Sequence, residues 1–135
     1  MYFPHVFPTA ILLGKTGNGK SALGNFLLNK YYFEVSPSTE SETTKTKLGI
    51  NKFERFGVID TPGLNDSKGR DQEHYKNIIG FIKDKYITCS LIVFNFTETK
   101  ISSDVKELIK IYFNIFNWDF FNHIGIIFSR TYGKK

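Results

Sequence analysis

The chain has 135 residues, which is room for one domain. It is 41% hydrophobic and 16% aromatic, with 14 Phe and 7 Tyr, a composition that excludes a disordered chain. The net charge of +5 comes from 18 basic and 13 acidic residues spread along the sequence, which reads as a lysine-rich solvated surface and not as a nucleic-acid patch.

Residues 1–8 form an N-terminal extension broken by Pro4 and Pro8, without the basic segment of a signal peptide. TAILLG, residues 9–14, reads as a buried first strand, and residues 21–28 as a helix leaving a Gly-rich turn. Residues 30–44 are polar and carry Pro37, so they read as a long loop. Two strands follow, over 45–51 and 53–60; the short connection between them requires an antiparallel pair. Residues 71–83 suit a helix, with Tyr75, Ile78, Ile79 and Ile82 at spacings of 3, 1 and 3. Cys89, in the apolar run ITCSLIVF, reads as a small core residue; a single cysteine makes no intrachain disulfide and fits a reducing compartment. SLIVFNF from Ser90 is the next buried strand. Ser103 is placed to cap a helix reaching Phe116, whose stripe is Val105, Leu108, Ile109, Tyr112 and Phe113. HIGIIFS, residues 123–129, is the last strand.

The alternation predicts an α/β domain over 9–135, a mostly parallel sheet with flanking helices. Such a domain normally closes on one further strand and helix, so this one is expected to be C-terminally truncated. Its fifth strand is then an apolar edge that invites self-association.

The strongest motif is Gly14-Lys15-Thr16-Gly17-Asn18-Gly19-Lys20-Ser21, which fits the phosphate-binding pattern G-x-x-x-x-G-K-[ST]. Its spacing lets successive backbone N–H groups wrap a phosphate, with Lys20 as a point charge and the Ser21 hydroxyl as a Mg²⁺ ligand. The helix that follows turns its positive end toward the same group. A second motif, Val58-Ile59-Asp60-Thr61-Pro62-Gly63, gives D-x-x-G after a buried strand. Asp60 would hold Mg²⁺ through a water, and the Gly63 N–H would sense a terminal phosphate. Between the two, a triphosphate switch needs one Thr that closes over the metal, and Thr43 and Thr44 both qualify. Together these features predict a P-loop NTPase of the small-GTPase kind.

Leu64 stands where many switch GTPases place a water-orienting Gln, so hydrolysis is expected to be slow, with help from a partner or from dimerisation across the nucleotide face. Arg70 is a candidate for a charge supplied in trans, set against the plainer reading of a surface Arg. His74 reads as a partly exposed structural residue, and Tyr31-Tyr32-Phe33 as aromatics packed on the first helix or shielding a nucleotide. Trp118 reads as an anchor at the rim of the core, and His5 and His123 lack partners at metal spacing.

The block LLGKTGNGKSALGNFLL, with Gly24-Asn25 inside it, and the block VIDTPGLND resemble the signatures of the immunity-associated nucleotide-binding GTPases (the GIMAP or AIG-type family), relatives of septins and chloroplast import-receptor GTPases. Residues 42–47, ETTKTK, resemble the family's switch and align Thr44 with its metal-sensing Thr. The likeness covers residues 9–132. It implies GTP or GDP with Mg²⁺, bound by Gly14, Lys15, Thr16, Gly17, Asn18, Gly19, Lys20, Ser21 and Ala22, with Asp60, Gly63 and Arg130. It implies Ser21, Thr44 and Asp60 at the metal, and Lys20, Thr44 and Gly63 in the reaction.

One departure concerns the base. The family reads guanine with F-T-R-K-D, and here residues 128–132 are FSRTY, so Tyr132 stands in place of the bidentate Asp. A second is that the family's C-terminal extension, with its membrane contacts, lies outside this chain. The implied function is a GTP-binding switch with weak GTPase activity, cytoplasmic or peripheral on an internal membrane, controlled by self-association and acting on an unknown effector. The alternative is a truncated paralogue with lost or base-unselective nucleotide binding, acting as an interaction module.

Overall fold

Ile11, Leu12 and Leu13 are apolar on both sides of the strand they form, and such a run is stable only when both sheet faces are covered. In the computed structural model, which describes residues 7–15, 19–35, 45–64, 71–95, 103–116 and 123–129, this run is β1 (Thr9–Gly14), the middle of a five-stranded sheet. The other elements are α1 (Lys20–Leu28), β2 (Lys47–Asn51), β3 (Phe56–Asp60), α2 (Asp71–Ile82), β4 (Cys89–Asn95), α3 (Ser103–Phe116) and β5 (Ile124–Ser129). The strand order is β2-β3-β1-β4-β5, with only the β2–β3 pair antiparallel. This is the mixed, mostly parallel α/β sheet that the alternating pattern predicts.

Alternation along β1 divides the core. Leu12 faces Leu28, Phe33 and Val58, under α1. Ile11 and Leu13 face Ile59, Leu64, Ile78, Ile92 and Tyr112, under α2 and α3. Helices therefore lie on both faces, and the register of β1 with β3 pairs Leu12 with Asp60. That register sets the carboxyl ends of the two motif-bearing strands side by side.

The sequence around α1 explains itself locally. A Cβ at Gly24 would lie 2.8 Å from the Phe33 ring, so the bare glycine is the notch that seats Phe33 against α1. The neighbouring Asn25 ties the returning chain: its Oδ1 accepts from the N–H groups of Tyr32 (3.0 Å) and Phe33 (2.7 Å), and its Nδ2 donates to Phe33 O (2.8 Å). Of the three aromatics Tyr31, Tyr32 and Phe33, only Phe33 is buried; the two tyrosines are exposed.

Four expectations are corrected. Residues 52–55 are a turn and not the start of a strand: Arg55 takes a left-handed φ of 64°, its N–H returns to Asn51 O at 2.8 Å, and Phe53 is 96% exposed. β2 begins at Lys47, because both the N–H and the hydroxyl of Thr46 are turned to Asn77 Oδ1 on α2, each at 2.8 Å. Cys89 is only part-buried at the start of β4, and that partial burial raises its thiol pKa. Ser103 is the first residue of α3 itself. Ile126 and Phe128 of β5 are exposed, and among the described residues no helix is long and apolar enough to cross a membrane.

Asn25→Ala removes three side-chain hydrogen bonds at once, and at about 1 kcal/mol each the expected loss is about 2–3 kcal/mol of stability. Urea denaturation should show a lower midpoint with an unchanged slope.

Candidate functional site

β1 ends where it can carry no side chain. A Cβ on Gly14 would stand 2.7 Å from the Val93 carbonyl oxygen of β4, and the Gly14 N–H donates to the Tyr112 hydroxyl of α3 at 2.7 Å. The chain turns away through Lys15 and re-enters at Gly19, whose left-handed φ of 84° starts α1 at Lys20. Residues 16–18 lie outside the described residues. The first turn of α1 holds no acidic residue, so its positive end is left for an external anion.

Lys20 folds back under this turn, and its Nζ donates to Lys15 O at 3.1 Å. The side chain is 6% exposed. Burial pushes the Lys20 pKa down to about 8, against a smaller upward pull from the Asp60 carboxylate. A partly desolvated ammonium beside a helix start suits an anion: a phosphate would offset the hydration that burial has removed.

Asp60 closes β3 and is almost wholly buried, and its Oδ2 accepts from the Ser21 hydroxyl at 2.5 Å. Thr61 anchors the following turn by donating to Leu12 O at 2.7 Å. A hydroxyl and a carboxylate are hard oxygen donors, suited to Mg²⁺ and not to a thiolate-seeking metal. The donor set therefore fits the cation that the sequence implies.

Of the sequence-selected residues, Gly14, Lys15, Gly19, Lys20, Ser21, Ala22, Asp60 and Gly63 stand at or directly after the carboxyl end of β1 or β3, or at the start of α1. Thr16, Gly17, Asn18, Thr43, Thr44, Arg70, Arg130, Tyr132, Trp118 and His5 lie outside the described residues. Leu64 is fully buried, and its N–H donates to Gly14 O at 3.3 Å.

Two residues of this region escape the sequence reading. His74, expected to be partly exposed, is 3% exposed, with Nδ1 3.0 Å from Gly63 O. Tyr112, read only as part of a core stripe, is fully buried and bonded to Gly14. The available signal was the phenol itself, because a hydroxyl in a buried stripe needs a partner.

A model of the AIG1 family matches residues 8–133. Immune-associated nucleotide-binding protein 13 of Arabidopsis thaliana is 46% identical over 59 residues, 42% of this chain and 18% of that protein. Toc33 from Arabidopsis thaliana, solved in complex with Mg²⁺ and GMPPNP, superposes with a TM-score of 0.79 at 22% identity, over 90% of this chain and 49% of that one. A structure of the chloroplast translocon components atToc33 and psToc159, for whose GTPase activity dimerization is important, superposes with a TM-score of 0.81 at 23% identity, over 90% and 49%. These neighbours share the fold, and the chain spans about half the length of each.

Below pH 8 the folded chain holds a charged, buried Lys20, whereas the unfolded chain binds that proton up to pH 10.5. The unfolded state therefore binds more protons between those values, and this residue's contribution to stability rises with pH across the window. Replacing the charge by Lys20→Met is expected to stabilise the ligand-free chain by about 2–3 kcal/mol at pH 7, a gain that shrinks toward pH 10. Paired urea titrations at the two pH values check it.

Proposed function

Because the chain belongs to the AIG1 family, we propose that it is a GTP-binding switch domain with slow intrinsic hydrolysis, controlled by nucleotide-dependent self-association. The observation that carries this reading is the meeting of two motifs: Lys20 and Ser21 from the glycine-rich turn lie against Asp60 of D-x-x-G, with Ser21 bonded to its carboxylate. An interaction across 39 residues of sequence puts an anion receptor and a cation ligand set in one place.

In this reading the backbone N–H groups of residues 14–22 wrap the phosphates, and Lys20 neutralises them. Ser21, Thr44 and Asp60 would hold Mg²⁺. Bound Mg²⁺ supplies charge neutralisation on the phosphate oxygens. The Gly63 N–H reports the terminal phosphate, and Arg130 borders the base. Relatives named for nucleotide binding, and a neighbour solved with Mg²⁺ and GMPPNP, support the ligand class.

Leu64 supports slow turnover, since a buried aliphatic side chain cannot orient an attacking water. The importance of dimerization for the GTPase activity of the translocon components supports a second copy as the source of acceleration.

The test is equilibrium binding of fluorescent GDP and ADP with Mg²⁺. Tight GDP binding, weakened about 100-fold by Lys20→Ala, is expected from the loss of charge-assisted phosphate contacts. Equal binding of the two nucleotides would leave a base-unselective module, and no binding by a folded chain would overturn the proposal. In the same assay Asp60→Asn should abolish the Mg²⁺ dependence. Turnover per chain is expected to rise with protein concentration, measured as phosphate release across the micromolar range.

A further inference from the structure

The peptide unit joining Gly63 and Leu64 is gripped at both ends. Its oxygen, Gly63 O, lies 3.0 Å from His74 Nδ1, and its N–H, from Leu64, donates to Gly14 O at 3.3 Å. A carbonyl oxygen only accepts, so the hydrogen of the first bond sits on His74 Nδ1. Both anchors are themselves held. His74 is 3% exposed on α2, and Gly14 has its N–H and its carbonyl within reach of the fully buried Tyr112 hydroxyl, at 2.7 and 3.3 Å. Gly63 has no Cβ to restrict its own backbone, so the orientation of this unit is set from outside.

We propose that His74 is a positioning residue: by holding Gly63 O, it fixes the backbone around Gly63 so that this residue's N–H distinguishes a triphosphate from a diphosphate. The role rests on the switch reading above. His74 touches no phosphate in it and acts only through the Gly63 backbone. Neither D-x-x-G nor the glycine-rich turn contains this residue, and α2 brings it in from eleven positions downstream.

The experiment compares the 135-residue chain with His74→Leu, His74→Asn and His74→Gln. Asn places an amide N–H close to where Nδ1 stands, Leu offers no donor, and Gln displaces the donor outward. Affinities for GDP and for a non-hydrolysable GTP analogue are measured with Mg²⁺, and the amide exchange of Leu64 is followed in the ligand-free protein. Loss of one buried bond should change the triphosphate-to-diphosphate affinity ratio about 10-fold in His74→Leu while GDP affinity stays within about 2-fold. Exchange at Leu64 should accelerate about 10-fold in the same variant. His74→Asn should restore both values, which a purely structural packing role would not. If His74→Leu does not fold, His74→Gln carries the same expectation.

A folded donor-less or donor-displaced variant that keeps the wild-type ratio overturns the role of His74 and leaves the switch reading standing. A wild-type chain that binds neither nucleotide overturns both.

Discussion

The carboxyl end of β1 has room for no side chain, and the rest of the site depends on that exclusion. The oxygen of Val93 occupies the space a Cβ at Gly14 would need, so β4 can lie close against the strand end. Such closeness brings the Gly14 N–H to Tyr112 and leaves its carbonyl facing Leu64. One backbone position thereby joins three segments distant in sequence. A bulkier residue would have to push β4 away, and α3 with it.

The buried ammonium of Lys20 is the second constraint, and it works against the fold. Burial lowers its pKa, so the ligand-free chain carries a charge in a place that disfavours it. Asp60 offsets part of that cost, and its own carboxylate is turned to Ser21. Stability is given up at the point where an anion would restore it, which is the usual mark of a binding group and not of a packing group.

Much of this was legible in the sequence because the signals are local and strong. The apolar run of β1, the glycines at 14 and 19, and the aspartate at the end of β3 each follow from chain chemistry within a few residues. Gly24 and Asn25, which stand out only as part of a family block, have a physical reason once Phe33 is seen seated in the notch. The reading failed where a distant partner decides. Phe53 looked like a strand residue because its aromatic ring favours strands, yet the left-handed turn at Arg55 leaves it in solvent. His74 looked like a partly exposed structural residue because nothing in α2 announces the carbonyl of Gly63. Thr46 looked like the inside of a strand, and its bonds to Asn77 could not be read from either segment alone.

That last contact ties more together than the end of a strand. Asn77 lies one helical turn beyond His74 on α2, so both side chains leave the same side of one rigid rod. One grips the backbone two residues after Thr44; the other grips the D-x-x-G segment at Gly63. Thr46 and Gly63, far apart in sequence, are thus both held by one helix. A displacement of α2 would therefore be felt at Thr46 and at Gly63 together.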